Sequence, residues 1–209
     1  MPNVELLIGF AVTTAIFAYT PGPAMLFVMA QTLARGRRGG LLAALGVHTG
    51  GYAHVLAASF GLSAIFVHVP LAYMAVKFAG AAYLVWLGID LIRKRNQPLD
   101  IPKVTGRVGR GAFLQSVSVE ILNPKAAIFF IAFLPQFVDP SAGAPIWLQL
   151  LVLGTIVNLT FSSADLISVL LTSKILSHIN LTQAGTRIAR TIGGAILVGL
   201  GVRLAFDRN

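Results

Sequence analysis

The sequence predicts an all-α integral membrane protein: six transmembrane helices in two inverted three-helix halves, with spans 1 and 4 broken at prolines. Three observations carry that expectation. Of 209 residues, 56% are hydrophobic and only 11% charged, against about 25% charged in a typical soluble domain. The apolar residues are gathered into long runs, and 6–34 and 39–76 contain no Asp, Glu, Lys or Arg. Prolines interrupt two of the runs at corresponding places.

A bilayer core about 30 Å thick needs about 20 apolar helical residues, which places spans at about 5–34, 39–66, 70–92, 111–138, 145–173 and 186–206. The runs are continuous and lack the alternation of a membrane β-barrel. Span 1 carries only Glu5 near its start, so the positive n-region of a cleaved signal peptide is missing and the segment is expected to stay as a helix. Thr20-Pro21-Gly22-Pro23 interrupts this span, and Asn123-Pro124 interrupts span 4 at a matching depth. A helix-interior proline removes a backbone donor and clashes with the preceding turn, so both spans should be kinked or broken. The polar stretch 93–110 divides a single membrane domain, 1–209, into repeats of about 1–92 and 111–209. Three spans per half make the halves inverted. Paired discontinuous helices of this kind mark secondary transporters.

The formal net charge of +9 is a matter of topology rather than of nucleic acid binding. Twelve cationic residues lie in or flank the connections after spans 1, 3 and 5, including Arg35, Arg37, Arg38, Arg93, Lys94 and Arg95. The connections around His68 and Asp139 hold none, and the C-terminal end holds Arg203 and Arg208. Cytoplasmic loops collect Lys and Arg, so both termini are expected outside the cytoplasm. Without cysteine the chain has no disulfide or thiolate metal site. Phosphate loops and nucleophile elbows are also missing, and an enzyme is not expected. A hydrolytic Ser59 with His48 or His54 has no supporting spacing.

Ionisable residues at membrane depth are costly and point to function. Glu120 and Lys125 flank the second break, and Asp165 lies in span 5. Glu120 and Lys125 either neutralise one another as a structural ion pair or serve a substrate. Asp165 either pairs with Lys125 or Lys77, is solvated near the membrane boundary, or works in transport. His48 and His54, about 120° apart on a helix, form no i, i+4 metal pair and read as hydrogen-bonded packing residues. Gly46-x-x-x-Gly50 reads as a close helix contact. The half-helix after Pro21 offers free N–H groups and a positive dipole end to a carboxylate. Lys125 adds a charge-assisted bond there, while Glu120, Asp165 or the carbonyls freed by the prolines receive an ammonium.

At these residues the chain resembles the LysE/RhtB family of bacterial amino-acid exporters. TPGPAMLFVMAQTLARGRRGGLLAALGVHTGG (20–51) looks like the family's first block, and ILNPKAAIFFIAFLPQFV (121–138) like its second. KFAGAAYLVWLGIDLIR (77–93) and IGGAILVGLGVRLAF (192–206) match its third and last spans. The resemblance implies an inner-membrane exporter of amino acids or close derivatives, driven by the proton or ion gradient and free of cofactors. It carries a substrate role to Thr20, Pro21, Gly22, Pro23, Asn123, Pro124 and Lys125, and leaves coupling to Glu120 and Asp165. Two positions depart from the pattern: Ala24 replaces a polar residue, and Glu120 stands where many relatives carry a neutral amide. A homodimer is the default on symmetry grounds. The alternative is a divalent metal or other ion exporter of similar build, using His48, His54 and Asp165.

Overall fold

The computed structural model describes residues 4–62 and 110–178 without interruption, and a subset of positions within 75–97 and 187–206. Regular structure among the described residues is helical. Helix α1 (Val4–Tyr19) stops at the first proline motif. Helix α2 (Pro23–Leu56) begins with Pro23 in its first turn and Gly22 as its N-cap. Proline suits that position because the first helical N–H groups have no intrahelical acceptor in any case. A π-helical turn, Ala57–Leu62, continues it.

Within α2 the chain reverses. Gly36 has φ 68° and ψ −174°, a conformation open to glycine and strained for other residues. Gly40 consequently lies against the side chain of Thr32, although eight residues of straight helix would separate them by about 12 Å. Ala24 and Val28 share a buried cluster with Ala43, Ala44 and Val47, and these sit at similar distances on either side of Gly36. Residues 23–35 and 37–56 are thus two antiparallel arms, and Arg35, Arg37 and Arg38 lie at their turn, where spans 1 and 2 were expected to meet.

The second break follows α3 (Arg110–Ile121). Helix α4 (Pro124–Ile128) leads into a π-helical turn, Phe129–Phe133, and a 3-10 turn, Leu134–Phe137. The two pieces of this span, Gly111–Ile121 and Pro124–Phe137, are bent by 41°. The following loop is tied down from both ends. Asp139 accepts hydrogen bonds from the Ser141 hydroxyl (2.6 Å) and N–H (2.9 Å), which hold its carboxyl below the usual carboxylate range. The Gln149 amide bonds both backbone groups of Asp139. Helix α5 (Ile146–His178) then runs 33 residues.

By length and composition the stretch Pro23–Gly61, folded into two arms at Gly36, and the helix Ile146–Ser173 are apolar enough to cross a membrane, and the bent pair makes a third. Leu7–Tyr19 is a shorter apolar helix. Leu45, Phe60, Leu122, Val152 and Leu159 are each more than half exposed, an outward apolar surface suited to lipid. Parts of spans 3 and 6, most of the linker 93–110, Lys77 and the connection at His68 lie outside the described residues. Where spans 3 and 6 are described, Gly88 and Gly194 meet backbone to backbone.

Glycines also set the central packing. A side chain at Gly46 would strike the Phe113 carbonyl, and one at Gly50 the Val117 carbonyl, so α2 presses directly on the α3 backbone. The Gly46-x-x-x-Gly50 pattern is therefore a packing device. Gly50→Leu is expected to cost about 1–3 kcal/mol through overpacking. A thermal unfolding midpoint unchanged in detergent would contradict that close approach.

Candidate functional site

Each proline break takes the i+4 donor from a carbonyl, which keeps only the N–H three residues on (Thr20 to Phe17 O at 3.3 Å, Asn123 to Glu120 O at 2.9 Å) and gains a second donor from the other half of the chain. Pro21 has no N–H for the carbonyl of Phe17, four residues earlier. Lys125 Nζ, from the second break, donates to Phe17 O at 2.9 Å and to Thr20 O at 2.5 Å. The ammonium also stands 4.4 Å from the centre of the Phe17 ring, a favourable cation–π placement. Pro124 likewise leaves the carbonyl of Glu120, and His54 Nε2–H of α2 donates to it at 2.8 Å. His54 is held by stacking on Phe130. Its packing role is now specific: it completes the second break.

Asn123 organises that break locally. Its Oδ1 accepts from Lys125 N–H at 3.1 Å as the N-cap of α4, and its Nδ2 donates to Glu120 Oε2 at 2.9 Å. Gly22 explains how Lys125 reaches across, since a Cβ there would lie 2.6 Å from Lys125 Cδ. Gly22→Ala should therefore push the lysine off the α1 carbonyls and lower transport about tenfold, about 1.4 kcal/mol. Normal transport rates in Gly22→Ala would disprove the need for that contact.

Between the breaks lies a cleft of about 400 Å³ between atoms, counting its mouth. Gly22, Ala24 and Met25 line it from the start of α2, Glu120, Asn123 and Lys125 from the second break, and Asn158, Ser162 and Asp165 from α5. Three ionisable side chains thus share one buried space. Glu120 and Asp165 are each only 4% exposed. Neither lies within ion-pair distance of Lys125; among the described residues the one such pair is Lys94–Asp90. The ion-pair reading of Glu120 and Lys125 therefore gives way, because the lysine is held by backbone carbonyls instead. Asp165 is neither solvated nor paired with Lys125, and its carboxylate has no hydrogen-bond partner.

Five of the nine residues singled out in the sequence, Gly22, Glu120, Asn123, Lys125 and Asp165, line the cleft. The other four build the breaks beside it. Thr20 is buried, its hydroxyl on the Ile16 carbonyl, while Pro21, Pro23 and Pro124 terminate or start helices. The carbonyls expected to receive an ammonium are occupied by Lys125 and His54. Asn158 and Ser162 were missed. Asn158 Nδ2 donates to His48 O (3.1 Å), and Ser162 Oγ meets His48 Nδ1 at 2.5 Å. Their spacing with Asp165, four and then three residues, was a readable sign of one helix face.

No group of three His, Cys, Asp or Glu side chains suited to a metal exists among the described residues. Ser59 bonds the Val55 carbonyl, so it forms no pair with either histidine.

The LysE type translocator family model matches residues 15–208, spanning both breaks and every residue of the cleft. The chain belongs to the LysE type translocator family. It is a membrane transporter and not an enzyme. Among its relatives, an uncharacterized membrane protein of Vibrio cholerae is 30% identical over 97% of this chain and 98% of its own. A homoserine/homoserine lactone efflux protein of Salmonella typhimurium is 32% identical over 72% of both chains. A leucine efflux protein of Klebsiella pneumoniae is 26% identical over 94% of this chain and 92% of its own. No solved structure matches the chain.

Proposed function

We propose that this LysE family member exports amino acids or close derivatives across the inner membrane, driven by the proton or ion gradient. The observation that carries the reading is the unpartnered, buried carboxylate of Asp165 facing the cleft between the two broken helices. An ammonium group sits against Asp165, with the Glu120 carboxyl group nearby as a second acceptor. The first intrahelical bond of α2 is Leu26 N–H to Gly22 O, which leaves the N–H groups of Ala24 and Met25 for a carboxylate. Met25, Val47 and Phe161 supply apolar wall for a side chain. Relatives named for homoserine and leucine efflux support this class of solute.

The six-span, inverted-repeat architecture belongs to the same proposal. Its support is the exchange in which the second half supplies Lys125 to the first break and the first half supplies His54 to the second. Positive charge at the Gly36 turn puts that end in the cytoplasm and the termini opposite. A homodimer completes the proposal on symmetry grounds.

Cells overproducing the chain should release more homoserine, leucine or another amino acid than cells carrying an inactive variant. An unchanged extracellular amino-acid profile across a full panel would refute amino-acid export. Glu120→Gln keeps an acceptor for Asn123 and so should preserve the break while raising the half-saturating concentration about tenfold. Unaltered concentration dependence would remove Glu120 from the ammonium site.

A further inference from the structure

The two ends of the cleft are closed by different material. Towards the Asp139 loop stand Phe10, Phe17, Phe129, Phe133 and Phe137, a column of rings with successive centroids 4.2–5.9 Å apart. Towards the Gly36 turn the closure is a thin layer of small side chains, chiefly Val28, Ala43, Ala44 and Val169. Beyond it stand further buried polar side chains. Thr172 is seven residues after Asp165, hence about 10 Å along α5 and about 20° away in direction. Gln31 is fully buried near the turn.

Both of these polar side chains hold a donor without a partner. Thr20, Thr32, Thr155 and Ser162 all return their hydroxyls to the carbonyl four residues back. Thr172 Oγ1 is buried and makes no hydrogen bond. Gln31 accepts from Arg35 through Oε1 at 2.5 Å, yet its Nε2 has no acceptor. Unsatisfied buried donors are costly. Thr172, beyond a thin apolar layer and in line with the Asp165 carboxylate, and Gln31, buried by the turn, suit a seam that fills with water when it opens.

We infer that the seam between the α2 hairpin and α5, from Asp165 past Val169 to Thr172 and Gln31, is the solute's access route from the arginine-bearing end. Val28, Ala43, Ala44 and Val169 hold it shut in this conformation, and the phenylalanine column seals the opposite end. The route rests on the cleft being the transport site, and not on which solute the cleft takes.

The chain has no cysteine, so single cysteines report cleanly. Thr172→Cys, Gln31→Cys and Ser168→Cys are treated with a charged, membrane-impermeant methanethiosulfonate applied to one face of oriented vesicles at a time. Arg37→Cys, at the exposed turn, identifies the face, and Leu171→Cys, on the outward surface, is the lipid-facing control. The three test positions should react from the Arg37 face about tenfold faster than Leu171→Cys, since a thiol reacts only where water admits its thiolate. Modification should stop transport. Reaction no faster than the control, or only from the opposite face, overturns the route. Should Thr172→Cys fail to fold, Ser168→Cys, on the next turn towards the cleft, decides alone. If amino-acid export fails its own test but these positions label as expected, the route stands with another solute.

Discussion

Lys125→Met should reduce transport at least about a hundredfold, about 2.7 kcal/mol in barrier terms. The variant removes the donor that Nζ gives to Phe17 O and Thr20 O. The Thr20 carbonyl then lies unpaired in a buried, membrane-embedded site and the Phe17 carbonyl keeps only the Thr20 N–H at 3.3 Å, and an unsatisfied buried group costs about 1–3 kcal/mol. The end of α1 must then move to find other donors, and the cleft wall at Gly22 moves with it. Lys125→Arg should not rescue the loss. The bulkier guanidinium has to pass Gly22, where Lys125 already leaves no space for a single methyl group. Efflux rates normalised to membrane-inserted protein, with unfolding midpoints alongside, test both statements. Lys125→Met transporting at the wild-type rate would sink the claim that the breaks are held open by exchanged donors.

Asp165→Asn should separate movement from driving force. The carboxylate makes no hydrogen bond, and the amide is nearly isosteric, so the variant should fold and insert. Proteoliposomes with equal solute on both sides should still exchange labelled for unlabelled solute. With a pH gradient and membrane potential imposed, they should no longer concentrate it. One elementary charge crossing 100 mV is worth about 2.3 kcal/mol, enough for a concentration ratio of tens, and that ratio should collapse towards unity in the variant. If Asp165→Asn still builds a gradient, coupling belongs elsewhere, with Glu120 the next carboxylate in the cleft.

The value of these two tests lies in their different readouts. Lys125 acts through the backbone of the other half, so its loss should lower stability and transport together. The Asp165 carboxylate faces the cleft and makes no hydrogen bond, so its replacement by the amide should leave stability unchanged. A matching fall in unfolding midpoint for both variants would argue that Asp165 has a structural duty.

Much of this was legible before any fold was known. Uncharged runs placed the helices, because a bilayer accepts little else. Helix α1 with the first arm of α2 covers the run expected for span 1, the second arm of α2 lies in that of span 2, α3 with α4 covers that of span 4, and α5 that of span 5, running on to His178. Prolines 21, 23 and 124 announced the breaks, since the loss of an N–H is a property of the residue itself. The arginines at 35, 37 and 38 marked the first reversal, which Gly36 executes. The spacing of Asn158 and Ser162 with Asp165 was visible too, although it was not used.

Composition and pattern thus determined where helices form, where they fail and which ionisable groups enter the membrane. Tertiary structure alone decided which distant donor joins each failure. Lys125 lies 108 residues from the Phe17 carbonyl, and His54 lies 66 from that of Glu120. Local pattern declares that a carbonyl has lost its partner, because that follows from covalent structure. It does not declare what arrives in its place, because a side chain so distant in the chain is delivered only by how the helices pack. The same packing, through the bare backbone at Gly22, Gly46 and Gly50, turned an apparent ion pair into a lysine on carbonyls and left Asp165 without a partner.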